Sequence, residues 1–138
     1  MGIRDALHSA CPDNARIVRI HSSGDFYGPH YFRAWCAFLS DRSDLYGYGY
    51  TKSLSTVWEY RKNIPNNMHL TCSVGGLHDS MLDQMRVLGM HSATVVRDTA
   101  HAESLSLPLD YADIEAYRHD RDFALLIHGI QPKGGARI

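Results

Sequence analysis

Short runs that alternate apolar and polar residues take turns along this chain with apolar residues at helical spacing. Arg16–His21 (RIVRIH) has the period-two pattern of a strand and ends in Ser22, Ser23, Gly24 and Asp25. Pro29 suits a first helical turn, and Phe32, Trp35, Cys36 and Leu39 continue it as an amphipathic helix up to a polar turn at Ser40–Asp44. The plan then repeats. Leu45–Tyr50 (LYGYGY) reads as a strand ending at Thr51 and Lys52, and Ser53 is placed to cap a helix. That helix carries Val57, Trp58, Arg61 and Lys62 and stops at Pro65. Met68–Ser73 (MHLTCS) is a third strand, Gly75–Gly76 a turn, and Met81, Leu82, Met85 and Leu88 a helix closed at Gly89.

A fourth strand is predicted over His91–Arg97, with a short helix at Ala100–Ser104. Leu105–Asp122 reads as a loop with one helical turn around Asp113–Tyr117. Phe123–His128 (FALLIH) is a continuous apolar run, which predicts a fully buried strand. The spacing of about 25 residues per unit predicts an α/β fold of repeated βα units with a mainly parallel sheet of four or five strands. Such a sheet is either open or part of a TIM-like barrel, since this strand number is too small to close eight-fold. One domain over 1–138 is expected, with 1–15 as an N-terminal segment and 132–138 as a flexible tail.

Composition changes this picture little. Of 138 residues, 44% are hydrophobic and 21% charged, as in ordinary globular proteins. The net charge of −1 offers no global attraction to nucleic acid or membrane, although a local patch remains open. Cys11, Cys36 and Cys72 are too far apart for a zinc ribbon or a disulfide framework, so a reducing compartment is expected. No apolar run has the length of a membrane span, and Met1–Cys11 lacks a signal-peptide core. A cytoplasmic or virion-associated protein with no membrane partner follows as the expectation.

In parallel α/β folds, ligands gather beyond the carboxyl ends of the strands. The candidates there are Ser23, Gly24 and Asp25; Tyr50 and Lys52; Ser73, Gly75 and Gly76; and His128. Gly24 can let a ligand approach the backbone, and Asp25 can accept from an amine or a ribose. Equally, Gly24 makes the turn and Asp25 caps the next helix. Gly75-Gly76 can present N–H groups to an anion, or be a simple tight turn. Lys52 can meet a phosphate or carboxylate, or be a solvated lysine. Nine histidines include no pair at metal-ligand spacing, though His21 and His128 end strands and can meet in space. Cys36 and Cys72 lie on core faces. Tyr46, Tyr48 and Tyr50 share one strand face, either to stack on a base or to pack under a helix, with Gly47 and Gly49 leaving room on the other.

The blocks VRIHSSGDFYGPHYFRAW, YGYTKSL, LTCSVGG and FALLIHGIQP, running from about Arg16 to Gln131, resemble the phage "gene product 88" family in matching order. Longer members of that family carry N-terminal clustered cysteines that look like an iron–sulfur ligand set. Their strand-end SGDF motif is similar to the segment of radical-SAM partial barrels that holds the cofactor's amino group. The resemblance therefore implies that Ser23, Gly24 and Asp25 would hold a methionine amine, with Tyr50, Thr51, Lys52 and Ser73 around it. This chain begins just before that strand and has no cysteine cluster, which a 4Fe–4S centre needs. No cofactor is expected for this chain alone, and S-adenosylmethionine and 4Fe–4S enter by family analogy only.

Three functions are weighed on these grounds. The first is a non-catalytic phage binding, assembly or accessory protein on a degenerate scaffold. Its first strand would have an open edge, pairing with a copy of itself or with a second polypeptide. The second is an enzyme part that binds an S-adenosyl or nucleotide-like ligand and is completed by a cysteine-bearing chain. The third is a binder of nucleic acid or of a host factor.

Overall fold

A computed structural model describes residues 2–20 and 25–127. Helix α1 (Ile3–Ala10) is followed by β1 (Ile17–Arg19), α2 (Pro29–Asp41), β2 (Tyr46–Thr51) and α3 (Leu54–Glu59). After a 3-10 turn at Arg61–Asn63 come β3 (Met68–Ser73), a second 3-10 turn at Asp79–Met81, α4 (Leu82–Val87) and β4 (His91–Val96). The described chain closes with α5 (Thr99–Ser104), α6 (Ile114–Arg118) and β5 (Phe123–Leu126). The strands lie side by side in chain order, β1-β2-β3-β4-β5, and every neighbouring pair is parallel. The open sheet curls into a half-barrel, the α/β fold expected from the pattern.

Register assigns each residue a face. Ile17 and Arg19 align with Tyr46 and Tyr48, Tyr48 and Tyr50 with His69 and Thr71, and Thr71 and Ser73 with His91 and Ala93. Side chains alternate along a strand, so these residues share the concave face. Ile20, Gly47, Gly49, Met68, Leu70 and Cys72 take the outer face, where Phe32, Trp35, Phe38, Leu39, Leu54, Val57 and Met85 of the helices complete the main core. Each of these large side chains contributes on the order of 1.5–3 kcal/mol by leaving water.

The two glycines of β2 are explained by that packing. A Cβ on Gly47 would lie 2.7 Å from Leu39 Cδ1, and one on Gly49 would lie 3.0 Å from Ile20 Cβ. The tyrosines between them do pack under a helix, namely α6. The Tyr46 hydroxyl donates to the Tyr117 carbonyl, and the Tyr46 and Tyr48 rings lie 4.9 and 6.1 Å from that of Tyr117. Thus α6 crosses the concave face, with Ala116 buried against Ala93 and Phe123.

Several boundaries differ from the sequence pattern. The segment 1–15 contains a helix, α1, none of whose residues is fully buried. It is fastened by Arg4, which donates to both Asp41 oxygens at 2.6 and 2.7 Å, and by His8, 2.8 Å from Asp41. The same carboxylate lets α2 run on to Asp41, past the expected turn at Ser40. The Asn67 side-chain amide then collects the carbonyls of Leu39, Arg42 and Leu45 and fixes the turn into β2. Helix α3 ends at Glu59, and Arg61–Asn63 is a separate 3-10 turn. Strand β5 is the last strand of the sheet, and on its outer side Ala124 bridges to Leu109. Phe123 and Ala124 are buried, while Leu126 and Ile127 are exposed, so the apolar run is not the fully buried strand predicted.

Candidate functional site

The described strand-end residues fall into two groups on opposite faces of the sheet. Ser23, Gly24 and His128, together with His21, lie outside the described residues. Asp25 is on the outer side. Its Oδ1 accepts from the Phe26 N–H and the Thr51 hydroxyl, each at 2.7 Å, and its Oδ2 accepts from the Lys52 N–H at 2.7 Å. Thr51 is buried, so this carboxylate satisfies a hydroxyl that water does not reach. Asp25 therefore ties the connection after β1 to the end of β2. It does not cap α2, whose N-cap is Gly28 with no side-chain cap. Ser53 adds a second tie by donating to the Phe26 carbonyl at 3.2 Å rather than capping α3.

Lys52, Gly75 and Gly76 meet in a shallow groove of about 500 Å³, lined also by Ser55 and His78. The Lys52 stem crosses Gly76 so closely that a Cβ there would sit 3.0 Å from Lys52 Cβ. Gly75 has φ +108, which only glycine adopts without strain. The N–H groups of Gly75 and Gly76 do face a carboxylate, as the sequence suggested for an anion. The acceptor is Asp79 of the same chain, at 2.8 and 3.0 Å.

Tyr50 and Ser73 belong to the concave group. Burial raises the Tyr50 phenol above its ordinary value, and the charge of Asp113 adds to the shift. Beside Tyr50 lies a pair that the sequence reading missed. Arg19 Nε donates to Asp113 at 2.6 Å, the Tyr48 hydroxyl donates to Asp113 at 3.3 Å, and the Arg19 guanidinium lies 5.6 Å over the Tyr50 ring. Burial disfavours the Arg19 charge, and the hydrogen bond to Asp113 together with the attraction of the Asp113 charge and of Tyr48 and Tyr50 more than restores it, so its pKa rises. Arg19 was visible as a charged residue on the same strand face as Ile17. Asp113 was not, because α6 delivers it from 94 residues away.

The amino ends of the strands carry a second cluster that the sequence did not suggest. His69 stacks on Tyr46 at 4.2 Å, His119 lies 5.4 Å from both His69 and His91, and the Leu70 carbonyl is 2.7 Å from His119 Nε2. A cavity of about 340 Å³ opens beside His69 and His119. Among the described residues, no group of three histidine, cysteine or carboxylate side chains is arranged to hold a metal ion. The Cys36 and Cys72 thiols are both buried and pushed up to about 12, so they are poor nucleophiles at neutral pH.

The family model described as gene product 88 matches residues 2–138. The chain belongs to the gene product 88 family. No curated protein and no solved structure matches it. The family is one of phage gene products. Within this gene product 88 chain, the family blocks carry the fastenings just described. Asp25 and Phe26 of the SGDF segment meet Thr51, Lys52 and Ser53 of YGYTKSL, and Gly75-Gly76 closes LTCSVGG. Among the described residues, no helix is long and apolar enough to cross a membrane.

Proposed function

We propose that this gene product 88 chain is a phage accessory protein that acts by binding and assembly, on a degenerate radical-SAM-like scaffold, rather than by catalysis. The observation that carries the reading is the position of β1. It is an edge strand of a parallel sheet, bonded to β2 on one side. Tyr46 N–H bonds to the Arg16 carbonyl and Ile20 N–H to the Tyr48 carbonyl, so the even-numbered residues of this stretch face β2. The backbone groups of Ile17 and Arg19 therefore face away from it. Ile17 is 52% exposed. Beside this edge, Leu7, Cys11, Pro12, Trp35 and Phe38 help to line an apolar groove of about 290 Å³. An open edge next to an apolar groove suits an added strand from a second copy or another polypeptide, with backbone hydrogen bonds for affinity and the groove for an apolar side chain.

The strand-end geometry supports the non-catalytic part. The Asp25 carboxylate and the Gly75-Gly76 N–H groups are engaged within the chain itself. The half-barrel of parallel strands and the SGDF segment support the scaffold part by analogy.

Native mass spectrometry of the protein from its source, beside Ile17→Pro, tests the reading. Proline at 17 removes an outward donor and leaves the β2 ladder intact. The expected result is a homo-oligomer or a complex that this variant dissociates. A monomer that carries an S-adenosyl ligand, or a complex with a cysteine-rich iron–sulfur chain that Ile17→Pro leaves intact, would overturn it.

A further inference from the structure

The solvent side of α2 and the 3-10 turn that follows α3 join aromatic rings with uncompensated positive charge. Tyr27 is 69% exposed, and its ring stacks on Tyr31 at 4.5 Å and 25°. Among the described residues, the only other ring that Tyr27 meets is that of His30, edge-on, 5.4 Å away and turned by 73°. His30 and Arg33 lead from there into a groove of about 340 Å³, closed on the far side by Asn63. Arg33 lies 5.6 Å over the Tyr60 ring, and Lys62 is exposed beside Asn63.

The charge on this face is not balanced locally. Residues 26–40 contain no carboxylate, and residues 54–67 contain Glu59 alone. Elsewhere Arg4, Arg16, Arg19, Arg42, Arg86 and Arg121 each have an acidic partner. Among the described residues, Arg33, Arg61 and Lys62 have none, and the same holds for Lys52, Arg97 and Arg118; what sets this face apart is that three such cations gather beside aromatic rings. Arg33 and Arg61 are met by aromatic rings, Tyr60 at 5.6 Å and Trp58 at 4.1 Å, and Lys62 is exposed.

We propose that this face binds single-stranded nucleic acid, with Tyr27 as a stacking platform for one base and His30, Arg33 and Lys62 along the phosphates. A flat, exposed phenol beside a cationic groove is the pairing that single strands use, because an unpaired base has a free π-face and its backbone follows positive charge. A duplex keeps its bases stacked on each other and gains nothing from Tyr27. An acidic peptide would use the cations but leave the ring without a planar partner. The cationic groove at His30, Arg33 and Asn63 shares no lining residue with the apolar groove beside β1.

Fluorescence anisotropy with a labelled oligothymidylate of twenty nucleotides tests this on the full chain at several salt concentrations. Binding is expected to weaken as salt rises. Tyr27→Ala is expected to lower affinity about tenfold at every salt concentration. Arg33→Gln with Lys62→Gln is expected to flatten the slope of log affinity against log salt by about 0.7 per lost phosphate contact. All three side chains are exposed, and circular dichroism checks that the variants keep the fold. Absence of binding at 50 mM salt would overturn the proposal. So would equal affinity for the matching duplex, or equal affinity for polyglutamate together with no effect of Tyr27→Ala.

Discussion

Arg19 of β1 and Asp113 of the connection into α6 form a 2.6 Å ion pair across the mouth of the half-barrel. The two side chains are about one-third exposed, 33% and 31%. The pair thus lies between a solvated surface pair, which contributes little, and a buried one, whose disruption is costly. It holds α6 over the tyrosines of β2. Arg19→Ala is expected to cost about 1–2 kcal/mol of stability. Amide hydrogen exchange is expected to quicken in residues 111–119 more than in β3. Unchanged exchange there would mean that ring packing alone seats α6.

The same connection stores backbone strain. Ala112 and Asp113 both have left-handed conformations, φ +59 and +62. For alanine this costs roughly 1–2 kcal/mol, which glycine avoids. Ala112→Gly is therefore expected to stabilise the fold slightly, by about 0.5–1 kcal/mol after the entropy cost of glycine. Asp113→Gly relieves similar strain but removes the partner of Arg19, and is expected to destabilise. Urea denaturation of both variants separates strain from ion pairing.

Asp25 gives a prediction that bears on the strand-end site. Asp25→Ala leaves the Thr51 hydroxyl and two backbone N–H groups without their acceptor. A loss of about 2–3 kcal/mol is expected, more than a solvated carboxylate would cost. Thermal unfolding measures it. A change within experimental error would free Asp25 for a ligand and revive the S-adenosyl reading.

The two β2 glycines are expected to differ in their tolerance of alanine. At Gly47 the clash is with the end of the Leu39 side chain, which can partly rotate. At Gly49 it is with Ile20 Cβ and, at 3.1 Å, the Ile20 carbonyl. Gly49→Ala must move β1 itself and is expected to cost about 2–3 kcal/mol, with Gly47→Ala costing less. Denaturant midpoints of the two variants decide the order.

The histidines predict a pH dependence. Burial holds His69 and His119 below the ordinary imidazole value of 6.5; His119 adds to the effect on His69 and His91 to that on His119. The Leu70 carbonyl at His119 Nε2 and the Asp120 charge oppose the effect on His119 in part. The unfolded chain takes up protons near pH 6.5 and the folded one only lower. Stability is then full above about 6.5 and falls as pH drops through the folded values. Glu115, held down by Arg121, acts in a lower window, below 4.5. Denaturation at pH 7.5 and 5.5 is expected to show a drop that His119→Gln reduces. An equal drop in that variant would place the titration elsewhere.

The hydrophobic pattern alone determined the βα order, the parallel sheet, the bounds of β3 and the glycine face of β2. Those features follow from local periodicity and from which side chains can be absent where backbones meet. It also brought out Asp25 and the two glycines at 75 and 76 as polar strand-end features, but not their partners. That Asp25 serves Thr51 and Lys52, and that Asp79 fills the turn at Gly75, was decided by the tertiary structure. So were the seating of α6 on Tyr46 and Tyr48, the pairing of Arg19 with Asp113, and the meeting of His69, His91 and His119. These contacts join residues far apart in the chain, and no local repeat records which loop the folded sheet will bring against which face. Strand β5 makes the same point from the other direction. Its apolar run set the strand, but the folded sheet decided that Phe123 and Ala124 would be buried and that Leu126 and Ile127 would face solvent.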